Sequence, residues 1–312
     1  MLILCTELVY FLLLAPQVNS SNPAILERNE QALLEAAAHP ETEGPASLEL
    51  ARLYAEHGRL DQALTFAKAA AANMPENSDA HTELARAISA KMSRDPMFAM
   101  SHLELFWNSI EKAIGLNPKN FQAWRLKIGF QLYAPPIAGG SLEAAKQTLA
   151  QTREIDEELG LFLEAAVLER EEKHEERLAV FRQLAARSPK NRDYLMQIGF
   201  ALLSLARFDQ ASMHFENLFA QDPTDSECLY RAARAKVMGE TQLDTAVQQL
   251  EQYIDLVRET HPGSAAKAYC QIGLAQNMRQ KPDLARNAYH AALELDPENQ
   301  AAMEALKSLD SD

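Results

Sequence analysis

The sequence predicts an all-α array of about seven stacked helix-turn-helix units with a helix closing each end, and three observations predict it. The first is self-similarity. Arg192 to Pro223 aligns with Ala266 to Pro297: Gln197-Ile198-Gly199 matches Gln271-Ile272-Gly273, and Ala211, Phe215 and Leu218 match Ala285, Tyr289 and Ala292. Both segments end on Asp-Pro, and Pro189 and Pro223 stand 34 residues apart, a helix-turn-helix period. The second is periodicity. Leu195, Ile198, Gly199 and Leu202 recur at helical spacing and form one apolar stripe. The third is composition. The 312 residues include only 11 Gly and 14 Pro. Ala, Leu, Glu and Gln abound, side chains that lose little rotamer freedom in a helix. No β-branched run suggests a buried parallel sheet.

Taken in order, the chain opens on an apolar stretch. Leu8 to Ala15 is too short to span a bilayer and reads as the h-region of a signal peptide, with Val18-Asn19-Ser20 as a small-residue cleavage site. Residues 1–20 are therefore expected to be removed, and the mature chain to be periplasmic or secreted with no membrane span. The first basic residue is Arg28, so the usual positive n-region is missing and a cytoplasmic chain is the alternative. Residues 21–43 read as a capping helix, Ile25–His39, and the start of a break over Glu41 to Pro45.

The array occupies 44–297. Its units run near Gly44–Pro75, Ser78–Pro118, Phe121–Asp156, Glu158–Pro189, Arg192–Pro223, Ser226–Pro262 and Ala266–Pro297. The second carries an insertion around Met92–Met100 that is expected to lengthen its turn, and the second helix of the sixth is expected to be one turn longer. Gly199 lets the paired helix approach closely, Phe215 and Leu218 fill the space between, and Asp209 can cap or charge-stabilise the second helix. A single pair cannot bury both faces, so neighbours must stack. Residues 298–312 form a closing helix and tail.

Tyr54/Gly58/Ala63, Leu195/Gly199/Ala211/Phe215/Pro223 and Ile272/Gly273/Ala285/Pro297 resemble the tetratricopeptide repeat (TPR) family. The resemblance covers roughly Gly44–Leu309 and implies a TPR-type α-solenoid. Tyr133-Ala134-Pro135-Pro136-Ile137-Ala138-Gly139-Gly140-Ser141 looks like a turn of exported bacterial TPR proteins of unsettled function. Here two prolines end a helix, two glycines turn, and Ser141 caps the next helix.

No nucleophile elbow, zinc-protease helix, dinucleotide loop or phosphate loop is present, so no catalytic residue, cofactor site or metal site is assigned and no enzymatic activity is expected. The eight histidines are scattered, and Cys5, Cys228 and Cys270 form no metal-ligand spacing. Cys228 and Cys270 fall on neighbouring first helices, where two packed thiols or a disulfide are the readings. The formal net charge of −14 repels phosphate backbones, which argues against nucleic acid.

A protein or peptide partner remains, of unknown identity. A TPR array implies a concave face built by the first helix of each pair, taking a segment of a partner. Counting along each first helix puts Arg52, Arg86, Arg125 and Arg234 on that face with one anion, Glu169. Phe162, Met196, Phe200 and Leu203 are expected to form an exposed apolar patch that anchors an apolar partner segment, with Arg125 and Arg234 pairing with its carboxylates; Tyr230 falls on the same face. The implied roles are a scaffold for envelope or membrane-complex assembly, an assembly factor of the cytochrome c maturation type, or an accessory subunit of an enzyme complex. The heat-shock co-chaperone clamp is disfavoured, since Leu48 and Arg52 occupy its positions.

Overall fold

The computed structural model describes residues 23–309, with side chains from residue 28 onward. The signal-peptide reading of residues 1–20 lies outside them. The described residues form sixteen α-helices, one 3-10 turn and no strand. The all-α solenoid class is the one adopted: six packed helix pairs, three in each of two units, with a further helix at either end of each unit. The described residues divide into two compact units that meet between Glu171 and Glu172 in the sequence.

In the first unit α1 (Pro23–Ala37) precedes the pairs α2 (Glu43–Glu56) with α3 (Leu60–Asn73), α4 (Ser78–Met92) with α5 (Pro96–Leu116), and α6 (Phe121–Tyr133) with α7 (Leu142–Ile155). It ends on α8 (Glu157–Arg170). α1 supplies Leu33 and Ala37 to the cluster of Leu50, Tyr54 and Ala63. Its Glu30 accepts from the Tyr54 hydroxyl at 2.8 Å and pairs with Arg59 at 2.9 Å. Fully buried Ala63, Ala67 and Ala70 let α3 lie close against its neighbours. Asn77, Asp95, Asn120, Ser141 and Asp156 cap α4 to α8, each accepting from a main-chain N–H of the first turn.

The second unit begins with α9 (His174–Arg187). There follow the pairs α10 (Arg192–Ser204) with α11 (Phe208–Gln221), α12 (Ser226–Met238) with α13 (Leu243–Val257), and α14 (Pro262–Met278) with α15 (Pro282–Leu295). The closing helix is α16 (Gln300–Leu309). A methyl group on Gly199 would lie 2.2 Å from the Phe215 ring, and one on Gly273 2.4 Å from the Tyr289 ring. The helix approach expected at Gly199 therefore exists, and it recurs at Gly273. α16 buries Ala302 in the cluster of Ala266, Ala285, Tyr289 and Ala292.

Five turns share one device. Gly58, Glu172, Ala206, Glu240 and Gln280 all have φ between +52° and +69°. After Gly58, Ala206, Glu240 and Gln280 the next main-chain N–H reaches back six-to-one, as Arg207 to Leu202 O and Thr241 to Lys236 O.

Three local expectations are corrected. The insertion near Met92–Met100 lengthens a helix rather than a turn: Asp95 accepts from the N–H of Met97 and Phe98, Pro96 suits the first helical position, and α5 runs 21 residues. The extra residues near Pro262 belong to α14, 17 residues long, not to α13, because the proline starts a helix there as well. Gly44 and Pro45 lie in the first turn of α2 rather than in a break, a position where a missing N–H costs no helical bond. Asp209 lies inside the first turn of α11, whose cap is Arg207, and accepts from the Thr241 hydroxyl at 2.9 Å.

Candidate binding face on the first helices

On the first unit, the expected row of free cations is mostly neutralised. Glu83 of α4 is 4% exposed, and Arg86 wraps it with contacts of 2.6, 2.8 and 3.1 Å. Arg52 of α2 approaches the same carboxylate at 3.7 Å and holds Glu49 at 2.7 Å. Arg125 of α6 is 8% exposed. Phe162 of α8 is buried and meets the Phe121 ring edge-on at 4.8 Å. Nearby, the Asn120 amide donates to Ser78 Oγ, Asp79 and Thr82 Oγ1, a polar link from α4 to the start of α6.

On the second unit Met196 and Leu203 of α10 are buried. The Cys228 thiol lies 3.5 Å from the Met196 sulfur. Phe200 is half-buried, 5.9 Å from Phe215, with the Arg231 guanidinium 5.1 Å from its ring centre. The Tyr230 ring meets the Tyr253 ring at a tilt, 5.1 Å between centres. Burial pushes the Tyr230 phenol above its usual range, and Arg234 and Arg231 pull the other way. Arg192 is held by Asp225 and, at 3.2 Å, by Glu227, and Arg231 also takes Glu227 at 3.0 Å. Arg234 is half-buried.

The exposed apolar patch is thus corrected. Phe162, Met196 and Leu203 are covered, because first helices of adjacent repeats press on one another and not only on their own partners. Of the apolar residues singled out from the sequence, Phe200 and Tyr230 keep part of their surface. The sequence reading missed Glu83 and Arg231. Glu49/Arg52, Glu83/Arg86 and Glu227/Arg231 stand three or four residues apart, which is the helical ion-pair spacing and was available as a signal.

Cys228 and Cys270, the cysteines among the described residues, are free. Burial, with Asp225 beside it, pushes the Cys228 thiol up to about 12, and burial pushes Cys270 up to about 11, so neither is a thiolate at neutral pH. His81 and His214 each hold a main-chain carbonyl, of Pro75 at 2.9 Å and of Leu195 at 2.7 Å. Among the described residues no group of three or more His, Cys, Asp or Glu converges as a metal site would require, and no helix is long and apolar enough to cross a membrane.

Paired helices of near-constant length, small residues under aromatic rings and a repeated left-handed turn decide the class, and solved structures agree. A monomeric mutant of IFIT1 with m7Gppp-AAAA has a TM-score of 0.59 at 13% identity, over 92% of this chain and 67% of its own. The fold is that of a tetratricopeptide repeat protein. PilW, a type IV pilus biogenesis factor, gives a TM-score of 0.53 at 17% identity, over 73% of this chain and 98% of that one. A TPR protein from Parabacteroides merdae gives 0.51 at 16%, over 85% and 97%. Likeness at this identity is likeness of fold. No family profile matches the sequence, and no curated protein is similar to it. The first helices of this TPR array therefore have to be read from their own residues.

Proposed function

We propose that this TPR protein is a non-catalytic scaffold that takes a segment of a partner protein on the face formed by its first helices. One observation carries the reading. Every described helix belongs to a repeat pair or to an end cap, and partly exposed Phe200, Tyr230 and Arg234 remain on the first helices after packing is satisfied. The setting we favour is assembly of an envelope or membrane complex outside the cytoplasm, supported by the apolar run Leu8–Ala15 before the small residues Val18-Asn19-Ser20. An assembly factor holding apoprotein segments and an accessory subunit of an enzyme complex would use the same face.

The test is in-cell crosslinking followed by affinity capture, comparing wild type, a first-helix variant (Phe200→Ala with Arg234→Gln) and a second-helix control (Met213→Ala). A partner crosslinked in wild type and control but lost in the first-helix variant is expected. Equal recovery from all three, or no crosslinked protein at all, ends the proposal. Recovery of nucleic acid in place of protein ends it as well.

A further inference from the structure

Arg234 stands apart from the other arginines of the second unit. Arg192, Arg207, Arg231, Arg279 and Arg286 all hold acidic side chains. Arg177 donates to Gln197 at 3.0 Å, and Arg182, Arg187 and Arg258 are exposed. Arg234 is half-buried and makes no hydrogen bond or ion pair with any described residue. One turn earlier on α12, Tyr230 is also half-buried, and its hydroxyl has no hydrogen-bond partner among the described residues. Residues four apart share a helix face, so two unspent donors point to one side. A half-buried guanidinium with no counter-charge is costly, and in a chain with a net charge of −14 acidic side chains to neutralise it are plentiful.

The neighbours narrow what belongs there. Phe200 lies at the register of Arg234 one repeat earlier, and Leu274 lies at that register one repeat later, 38% exposed. By repeat register the cation falls between apolar positions of α10 and α14, and Arg231 flanks the Phe200 ring. Helices in contact are about 8–10 Å apart, and an extended chain advances about 3.3 Å per residue. A segment crossing the three helices would pass from one to the next in roughly two to three residues.

We infer that the Arg234–Tyr230 pair binds the side-chain carboxylate of an internal partner segment, an Asp or Glu with an apolar residue two to three positions away on either side. The pair accepts the carboxylate by charge-assisted hydrogen bonds, while Phe200 and Leu274 take the flanking apolar groups. Apolar residues on both sides of the cation fit a chain that continues in both directions, and a terminal carboxylate would leave one of them uncovered. This rests on the scaffold reading and specifies its ligand.

The probe is a phage-displayed library of random twelve-residue peptides, in internal and free-carboxy-terminal formats, selected on the full chain. Wild type is expected to enrich internal peptides with one acid between two apolar residues. Arg234→Gln should weaken the selected peptide at least tenfold, Arg234→Lys should restore part of the loss, and Arg234→Glu should turn the central preference to Lys or Arg. Thermal melts check that each variant is folded, and Arg234→Gln carries the test should the charge reversal unfold the chain. Binders without an acid, binders indifferent to Arg234→Gln, or enrichment of free carboxy termini alone overturn the inference while leaving a peptide scaffold standing. Absence of any binder overturns both.

Discussion

The ring of Phe215 fills the space that a side chain at Gly199 would need: a methyl group there would sit 2.2 Å from the ring carbon. Phe215 is fully buried, so the ring cannot swing aside. Gly199→Ala gains helix propensity but overpacks this contact, and it should cost about 1–3 kcal/mol in urea unfolding. Adding Phe215→Leu should make the second substitution cheaper than it is alone, a coupling read from the double-mutant cycle. Strict additivity would mean that the two groups do not meet.

Ala206 and Glu240 hold left-handed backbone, at φ of +53° and +52°. A β-carbon in that region costs roughly 1–2 kcal/mol, and glycine returns part of the difference through its freer unfolded state. Ala206→Gly and Glu240→Gly should each stabilise the chain by about 0.5–1 kcal/mol, while Gly58→Ala should destabilise it by about 1 kcal/mol. Denaturation midpoints at constant slope decide this.

Lys236 is 1% exposed and donates to Ser212 Oγ at 2.8 Å, to Gln249 at 3.2 Å and to the Glu216 carboxylate. The two ends of the ion pair are unequal, because the Glu216 side chain is 38% exposed. Glu216→Ala strands a buried cation, and with solvent screening discounted it should cost about 1–3 kcal/mol. Lys236→Met leaves an acid that water can reach and should cost less. If the lysine variant is the weaker of the two, the burial asymmetry does not set the energetics.

Burial lowers the pKa of His214, although its contact with the Leu195 carbonyl favours the charged form. The folded value lies below the unfolded one, so its contribution to stability is present above the unfolded imidazole range, near 6.5, and is lost as pH falls through the folded value. His214→Gln should flatten the stability profile as pH falls below the unfolded imidazole range, near 6.5. An unchanged slope would place the acid sensitivity elsewhere.

The repeat was legible because one period carries its own chemistry. Gly199 with Phe215 and Gly273 with Tyr289 are small-against-large pairs visible as matching letters, and Asp-Pro marks where units close. Lengths were less legible at Pro96 and Pro262. A proline reads as a stop, yet it starts a helix equally well when Asp95 or a preceding turn supplies the cap. The candidate face was read only in part. Helical phase placed Arg52, Arg86 and Arg234 on first helices. Whether a cation is free depends on acids brought in from the next repeat, as Glu83 is brought to Arg52. Burial of Met196 likewise comes from Cys228, 32 residues away, a contact that within-pair reasoning leaves out.

The two longest helices show how such a chain can grow. The second helices other than α5 are 14 or 15 residues long, and α5 has 21. The first helices other than α14 have 13 to 15, and α14 has 17. The excesses, seven and four residues over the common 14 and 13, are close to whole turns at 3.6 residues per turn. An insertion of that size rotates nothing downstream, so Phe106 and Ile110 still face inward after the added segment of α5. The two large length differences inside this array therefore preserve helical phase. A relative with two residues inserted in the middle of a helix would have to absorb the mismatch in a loop or lose a stripe of its interior.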